Sequence, residues 1–239
     1  MEKRFFINEQ DINDNLITIT GEEHNHLANV LRLKIGQKIE CFYDNSDLYE
    51  CELTEITKQH TIATIINSYP NPSNPKVKLT LFQGLPKLDK LELIVQKCSE
   101  LGVSEIIPFT SQHTIAKPND NKQERLNKIS LSASKQCGTT SILKVQKTIT
   151  FKSMLDKLKD YDTVIFANEK ETSTPLNKVL DKATNVAIVV GSEGGFSSQE
   201  IDSLSSIASS ITLGKRILRT ETASIVLSSL VMYALGELN

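Results

Sequence analysis

The segment VAIVVGSEGGFSSQE, residues 186–200, limits the possible folds of this chain more than any other segment. Its first five residues form an apolar run typical of a buried strand, and a turn with three glycines follows. Ser197 and Glu200 have the spacing of a capping box, which predicts that a helix begins directly after the turn. A strand that leads through a glycine turn into a helix is typical of a parallel α/β sheet, in which ligands bind beyond the carboxyl ends of the strands.

The same alternation of strands and helices extends over residues 76–239, whereas residues 1–70 have a different pattern. The second region contains five predicted strands, in KVKLTLFQG, VSEIIPF, DTVIFAN, VAIVVG and SSITLG, with helices between them. Residues 1–70 alternate apolar and polar positions and include the hairpin turn sequence Asn45-Ser46-Asp47, as expected of a small β-rich unit. Because the segment PNPSNP, residues 70–75, has the composition of a linker, we expect two domains with these bounds.

The last predicted helix, TASIVLSSLVMYALGEL, is apolar over more than one stripe of its surface. Such a helix needs partners on several sides. Burial in the core and a subunit interface both explain this pattern, and we favour a dimer interface.

The charge of the chain is unevenly distributed. The net charge of −2 does not indicate nucleic-acid binding, but residues 71–150 carry 12 Lys and Arg against 6 Asp and Glu. Residues 1–70 carry the reverse, 6 against 12. A positive surface in the middle region would attract a polyanion, and lysines on solvated helix faces explain the same counts equally well.

The remaining composition excludes several classes of protein. The four cysteines have no CxxC spacing and the four histidines are dispersed, so no metal site is expected. No apolar run approaches the ~20 residues of a membrane span, and the N-terminal residues lack the apolar core of a signal peptide. We therefore expect a soluble, cytoplasmic protein that does not bind a membrane.

The glycine turn does not match the common phosphate-binding motifs. It lacks the lysine of a P-loop and the GxGxxG spacing of dinucleotide-binding proteins. Glu193, inside the turn, would also repel a pyrophosphate. The turn therefore suits a neutral or cationic ligand such as S-adenosylmethionine, although a purely structural turn is an alternative.

A second segment, LGKRILRTETAS, follows the last predicted strand. Arg216 and Arg219 flank an apolar pair, and Thr220 or Thr222 is the expected N-cap of the last helix. Arginine binds phosphate with two hydrogen bonds and stacks on bases. Ion pairs with surface carboxylates are the alternative role for both arginines.

Together, VGSEGGFSSQE and LGKRILRTETA resemble the signature of the RsmE family of 16S rRNA (uracil-N3) methyltransferases, in the SPOUT superfamily. RFF and HLANVLRLKIGQ, beginning at residues 4 and 26, are similar to the PUA-like RNA-binding β-barrel of that family. GLPKLDKLELIVQKCSELGVSEIIPF, from residue 84, is similar to the start of its methyltransferase domain. The resemblance implies a homodimer with a deep trefoil knot that binds S-adenosylmethionine. It also implies methylation of N3 of uridine 1498 of 16S rRNA in the assembled small ribosomal subunit.

Individual residues receive expected roles from this resemblance and from the chemistry of the reaction. We hypothesise that Arg219 stabilises charge on a uracil carbonyl oxygen, and that Glu221 is the general base or only a favourable acid in the first turn of a helix. RNA contacts are expected from Arg4, His26, Arg32, Lys87 and Lys90. Cofactor contacts are expected from Gly191, Glu193, Gly194, Gly195, Leu213, Gly214, Ile217, Leu218, Arg219 and Thr222.

Three residues depart from the pattern of the family. Ser192 and Leu143 stand where proline is usual, and Thr139 stands where an arginine that faces RNA is usual. We expect the change at Thr139 to alter RNA contacts and to leave the cofactor site intact.

Two other classes of function are alternatives to the methyltransferase. A non-catalytic RNA-binding ribosome-assembly factor would not need the glycines of residues 191–195. A metabolic nucleotide-binding α/β enzyme would not explain the leading β-rich unit or the basic middle region.

Overall fold

A computed structural model describes residues 3–87, 89–119, 122–172, 174–180 and 183–238. The chain divides into two units. The first comprises the residues up to Asn74 together with Lys135–Ser141, and the second comprises Pro75–Ser134 and the residues from Ile142 onward. The short segment Lys135–Ser141 is thus part of the first unit although it lies far downstream in the sequence.

The first unit is built on one six-stranded sheet. In chain order its strands are β1 (Arg4–Phe6), β2 (Ile12–Asn13), β3 (Leu16–Ile19), β4 (Lys38–Phe42), β5 (Leu48–Ile56) and β6 (Thr61–Tyr69). The spatial order is β1-β4-β5-β6-β3-β2, and only the pair β1–β4 is parallel. The predicted hairpin is confirmed, because β4 and β5 pair antiparallel and Asn45 takes a left-handed φ of 58° in the turn between them.

A short helical segment lies between β3 and β4. Helix α1 (Gly21–Asn25) continues as a π-helix over His26–Val30, and Arg32 then has a left-handed φ of 52°. Leu27 on this segment is fully buried with Phe5 and Leu53 in the core of the unit. The second half of this helical segment is wound more loosely than an α-helix.

The second unit is an α/β structure, as predicted. Its strands are β7 (Lys78–Gly84), β8 (Glu105–Thr110), β9 (Lys144–Val145), β10 (Ile149–Thr150), β11 (Thr163–Ala167), β12 (Asn185–Val190) and β13 (Ser209–Ile211). They pair in the order β10-β8-β7-β12-β11-β13, with β9 beside β8, and every described pair is parallel. The helices are α2 (Lys90–Glu100), α3 (Gln123–Cys137), α4 (Phe151–Leu158), α5 (Ser198–Ser205) and α6 (Thr220–Ala234). Apolar side chains on β7 and β12 are buried on both sides of the sheet, which explains their continuous apolar runs.

Helix α6 buries one side and exposes apolar side chains on another. Leu227 and Val231 pack in the main core, whereas Leu230 is exposed and Tyr233 is 62% exposed. None of the described helices, α6 included, is both long and apolar enough to cross a membrane. The apolar surface of α6 is consistent with the expected dimer interface, which stays a prediction, as does the trefoil knot.

The predicted linker, PNPSNP, is held in place by hydrogen bonds. Asn74 Oδ1 accepts from Thr139 Oγ1 at 2.9 Å and from the Thr140 amide at 2.8 Å. Asn71 Nδ2 donates to the Gly138 carbonyl oxygen at 2.8 Å. Thr139, where the family usually has arginine, is therefore a buried residue that fixes the linker in this protein.

Candidate active site

A cavity of ≈ 420 Å³ lies at the carboxyl ends of β11, β12 and β13. Its walls are formed by residues 167–170, by the glycine turn after β12 and by the loop 212–220 before α6. Small-molecule sites usually have roughly 300–1,000 Å³, so the cavity is large enough for a nucleoside-sized cofactor. This position is the one expected for a ligand in a parallel α/β sheet.

The glycine turn packs closely against the end of β7. A Cβ atom on Gly84 would lie 2.3 Å from the Ser192 amide nitrogen and 2.6 Å from the Gly191 carbonyl carbon. Gly195, later in the turn, has a left-handed φ of 63°. The capping box that starts α5 forms as predicted, since Ser197 Oγ accepts from the Glu200 amide and Glu200 Oε2 accepts from the Ser197 amide. The glycines therefore serve backbone packing as well as ligand access.

A buried hydrogen-bond network joins the glycine turn to helix α6. Thr220 Oγ1 donates to the Gly191 carbonyl oxygen at 2.6 Å and accepts from Gln83 Nε2 at 3.0 Å. The hydroxyl of Ser224 donates to Gln83 Oε1, and Gln83 is fully buried. The expectation that Thr220 or Thr222 caps the helix was wrong: the N-cap is Arg219, because the Thr220 hydroxyl is held by these partners inside the protein.

The negative charge of Glu193 is compensated within the protein. Lys90 Nζ donates to Glu193 Oε1 at 3.0 Å and lies 3.2 Å from Glu221 Oε2, and the Lys87 amide donates to Glu193 at 3.2 Å. Burial alone would raise the pKa of Glu193, but these hydrogen bonds outweigh it and lower the pKa. The hydrogen bond to Glu193 in turn raises the pKa of Lys90. Glu193 thus closes one wall of the cavity as part of an ion-paired cluster.

The opposite wall carries apolar and cationic side chains. Leu213 and Leu218 are half-buried, and Ile217 is 83% exposed at the rim. Arg216 and Arg219 are exposed and line the same cavity. Within the described ranges neither guanidinium group has a hydrogen-bond or ion-pair partner. The expected alternative, pairing with surface carboxylates, is therefore not observed among these residues.

Most of the predicted cofactor residues meet at this cavity. Those that line it are Gly191, Glu193, Gly195, Leu213, Gly214, Ile217, Leu218 and Arg219. Gly194 and Thr222 do not line it: the Gly194 carbonyl oxygen lies 3.1 Å from His113 Nδ1, and Thr222 is exposed on α6. The sequence interpretation missed residues 167–170, although they lie at the carboxyl end of a predicted strand and their place in the sheet could have indicated them.

The predicted RNA contacts are divided between the two units. Arg4, in the first unit, donates to Glu40 Oε2 at 2.5 Å, so its guanidinium already has a carboxylate partner. The ring of His26 lies 6.0 Å from that of Phe5, and Arg32 is exposed. In the second unit Lys87 is exposed, whereas Lys90 belongs to the cluster with Glu193. The geometry thus leaves His26, Arg32 and Lys87 exposed, whereas Arg4 and Lys90 have carboxylate partners.

No set of three His, Cys, Asp or Glu side chains in the described part of the chain could hold a metal ion. The predicted absence of a metal site stays a prediction.

Comparisons with known proteins identify the family. Residues 72–232 match the family model described as RNA methyltransferase domain, and residues 19–66 match the RNA methyltransferase PUA domain. The chain is 32% identical to Ribosomal RNA small subunit methyltransferase E of Bacillus subtilis, covering 90% of this chain and 89% of that protein. It is 33% identical to the protein of the same name from Mesomycoplasma hyopneumoniae, covering 94% and 96%. The chain belongs to the RsmE family.

A solved RsmE structure extends the similarity to the whole fold. The crystal structure of Ribosomal RNA small subunit methyltransferase E from Neisseria gonorrhoeae bound to S-adenosyl methionine is 26% identical, with a TM-score of 0.90 and complete coverage of both chains. The expected family, the α/β fold with a small PUA-like unit and the class of cofactor are thereby confirmed. The specific uridine and the roles of individual residues stay predictions.

Proposed function

We propose that this RsmE-family protein transfers a methyl group from S-adenosylmethionine to N3 of uridine 1498 of 16S rRNA in the small ribosomal subunit. The family supports the reaction class, since its members are rRNA methyltransferases. One observation carries the proposal: the cavity beside the glycine turn has a cationic rim, at which the guanidinium groups of Arg216 and Arg219 have no partner among the described residues. A non-catalytic assembly factor would not require such a cavity.

The cavity suits S-adenosylmethionine in shape and in chemistry. Leu213, Leu218 and Phe196 offer apolar surfaces for an adenine ring, and the glycine turn offers backbone groups. Glu169, exposed at the wall after β11, offers a carboxylate to the amino group or the ribose hydroxyls. The bound cofactor supplies a methyl group on a positively charged sulfonium.

Arg219 is the proposed electrostatic catalyst. Uracil N3 becomes nucleophilic when its proton leaves, and negative charge then spreads onto the neighbouring carbonyl oxygens. An unpaired guanidinium at the cavity rim can donate two hydrogen bonds to such an oxygen. Glu221 is less suited to be the base, because its carboxylate is already engaged in an ion pair with the Lys90 ammonium at 3.2 Å. We propose that Glu221 acts through Lys90 to hold the wall formed by Glu193.

The proposal also includes the assembly and the location of the protein. Exposed Leu230 and Tyr233 on α6 support a homodimer that buries this apolar surface. The match of residues 19–66 to a PUA domain of RNA methyltransferases supports RNA binding by the first unit. A ribosomal substrate would place the reaction in the cytoplasm.

The test compares Arg219→Ala with Arg216→Ala, which removes a second exposed arginine from the same loop. We expect Arg219→Ala to reduce single-turnover methyl transfer to small subunits by at least 10²-fold at saturating S-adenosylmethionine. Arg216→Ala should mainly weaken RNA binding. Similar turnover by both variants would contradict the role of Arg219. Thermal shifts with ATP or NAD, and none with S-adenosylmethionine, would contradict the proposed function itself.

A further inference from the structure

A second cavity, of ≈ 520 Å³, lies at the carboxyl ends of β7 and β8 in the same unit. Its walls come from residues 85–87 after β7, the start of α2, residues 115–119, the start of α3 and residues 146–148. All of these residues belong to the basic region 71–150. The cofactor cavity does not account for the positive charge of that region.

The rim of this second cavity is positively charged. Lys87, Lys117 and Lys147 are exposed on it, and within the described ranges none of their side chains has a hydrogen-bond or ion-pair partner. Glu92, a carboxylate in the lining, accepts from Arg125 Nη2 at 2.8 Å, so its charge is compensated. The unpaired cations thus favour an anionic ligand.

The floor of the cavity is apolar. Leu85 and Leu126 are buried beneath it, and Ile115 is 73% exposed at its edge. A large apolar side chain that is this exposed next to unpaired cations indicates a ligand with both a flat apolar part and a negative part. A nucleotide of single-stranded RNA has both, in its base and its phosphate.

The two cavities adjoin each other at one segment, the start of α2. Lys90 lines the cofactor cavity, whereas Lys87 and Leu91 line the second one. The Lys87 amide donates to Glu193 in the wall of the cofactor cavity. The ring of His113 also links the loop before Ile115 to the Gly194 carbonyl oxygen at 3.1 Å. A strand that crosses this segment can therefore place one nucleotide in each cavity.

We propose that the second cavity binds a nucleotide of the rRNA strand that carries the target uridine. Its base contacts Leu85 and Ile115, and the adjoining phosphates contact the three unpaired lysines. This inference rests on the proposed function, because it assigns a binding site for the RNA substrate of the same reaction. It also gives the basic middle region a role.

The test measures binding of unmethylated small ribosomal subunits to the full-length protein. For a single strand, each phosphate contact changes the slope of log affinity against log salt concentration by about 0.7. At 0.1 M salt, the loss of one contact therefore corresponds to a roughly fivefold loss of affinity. The variant Lys117→Ala/Lys147→Ala should therefore bind about 25-fold more weakly, with a smaller salt dependence. Ile115→Ser should weaken binding without changing the salt dependence, since it removes an apolar contact and no charge.

The matched control is Lys152→Ala/Lys157→Ala, which removes two exposed lysines from α4, a helix that lines neither of these cavities. Equal binding by this control and by Lys117→Ala/Lys147→Ala would overturn the proposal, as would a change in the salt dependence with Ile115→Ser. The affinity for S-adenosylmethionine, measured by calorimetry, should be the same in every variant. If the wild-type protein binds subunits but transfers no methyl group, the proposed function fails. The role of the cavity is still decided, by comparing the affinity of Lys117→Ala/Lys147→Ala for subunits with that of the control variant.

Discussion

The hydroxyl group of Thr220 should couple the two walls of the cofactor cavity. Thr220→Val keeps the shape of the side chain but removes the hydrogen bonds to Gly191 O and from Gln83 Nε2. Thr220 is only 5% exposed and Gln83 is fully buried, so water cannot easily replace either partner. A buried polar group left without a partner costs about 1–3 kcal/mol, and Gln83 Nε2 keeps its second bond to Gly84 O at 2.8 Å. We therefore expect a loss of about 2 kcal/mol in the free energy of unfolding, at the middle of that range.

The assay combines thermal unfolding with calorimetry. For a chain of this size a loss of about 2 kcal/mol lowers the Tm by roughly 4–8 °C. The Kd for S-adenosylmethionine should rise about tenfold, equivalent to about 1.4 kcal/mol, because the glycine turn is no longer tied to the loop before α6. Thr222→Val is the matched control: the same substitution two residues later, at an exposed position outside the cavity. Equal Tm and Kd values for both variants would refute the reasoning.

Three further predictions test other parts of the structure. Gly84→Ala should cost about 1–3 kcal/mol of stability and weaken S-adenosylmethionine binding in calorimetry, because its Cβ would overlap the backbone of the glycine turn; an unchanged Kd would contradict this. Glu193 has a lowered pKa, so its contribution to stability is present at neutral pH and is lost as the pH falls below the ordinary value of 4.5. Glu193→Gln should therefore flatten the acid side of a plot of Tm against pH, and an unchanged slope would count against the ion-paired cluster. Alkylation with mass-spectrometric mapping should label Cys137 first, since Cys137 is partly exposed whereas burial raises the pKa of the Cys98 thiol to about 12; early labelling of Cys98 would contradict the described core.

Patterns with a local physical cause were predicted well. The capping box at Ser197 and Glu200 starts α5, and the alternation in residues 38–56 forms the β4–β5 hairpin. Gly102, directly after the last turn of α2, has the left-handed φ of 82° that favours glycine after a helix. The parallel sheet followed from the apolar runs separated by helices, because strands buried on both sides need continuous apolar sequence.

Features that depend on distant partners could not be predicted in this way. The N-cap of α6 was misassigned because the Thr220 hydroxyl bonds to Gly191 and Gln83, which lie far away in the sequence. The charge of Glu193 suggested a cationic ligand, whereas the structure gives it Lys90, at the distant start of α2, as a partner. The second cavity was also invisible in the sequence, since six separate segments form its walls.

The most direct test of the proposed function is whether this protein methylates one uridine in the small ribosomal subunit. The direct measurement incubates the purified protein with labelled S-adenosylmethionine and small subunits that lack the modification, and identifies the labelled nucleoside by mass spectrometry. We predict 3-methyluridine at position 1498 as the labelled product. Label in a different nucleoside, or no label although the cofactor binds, would contradict the account.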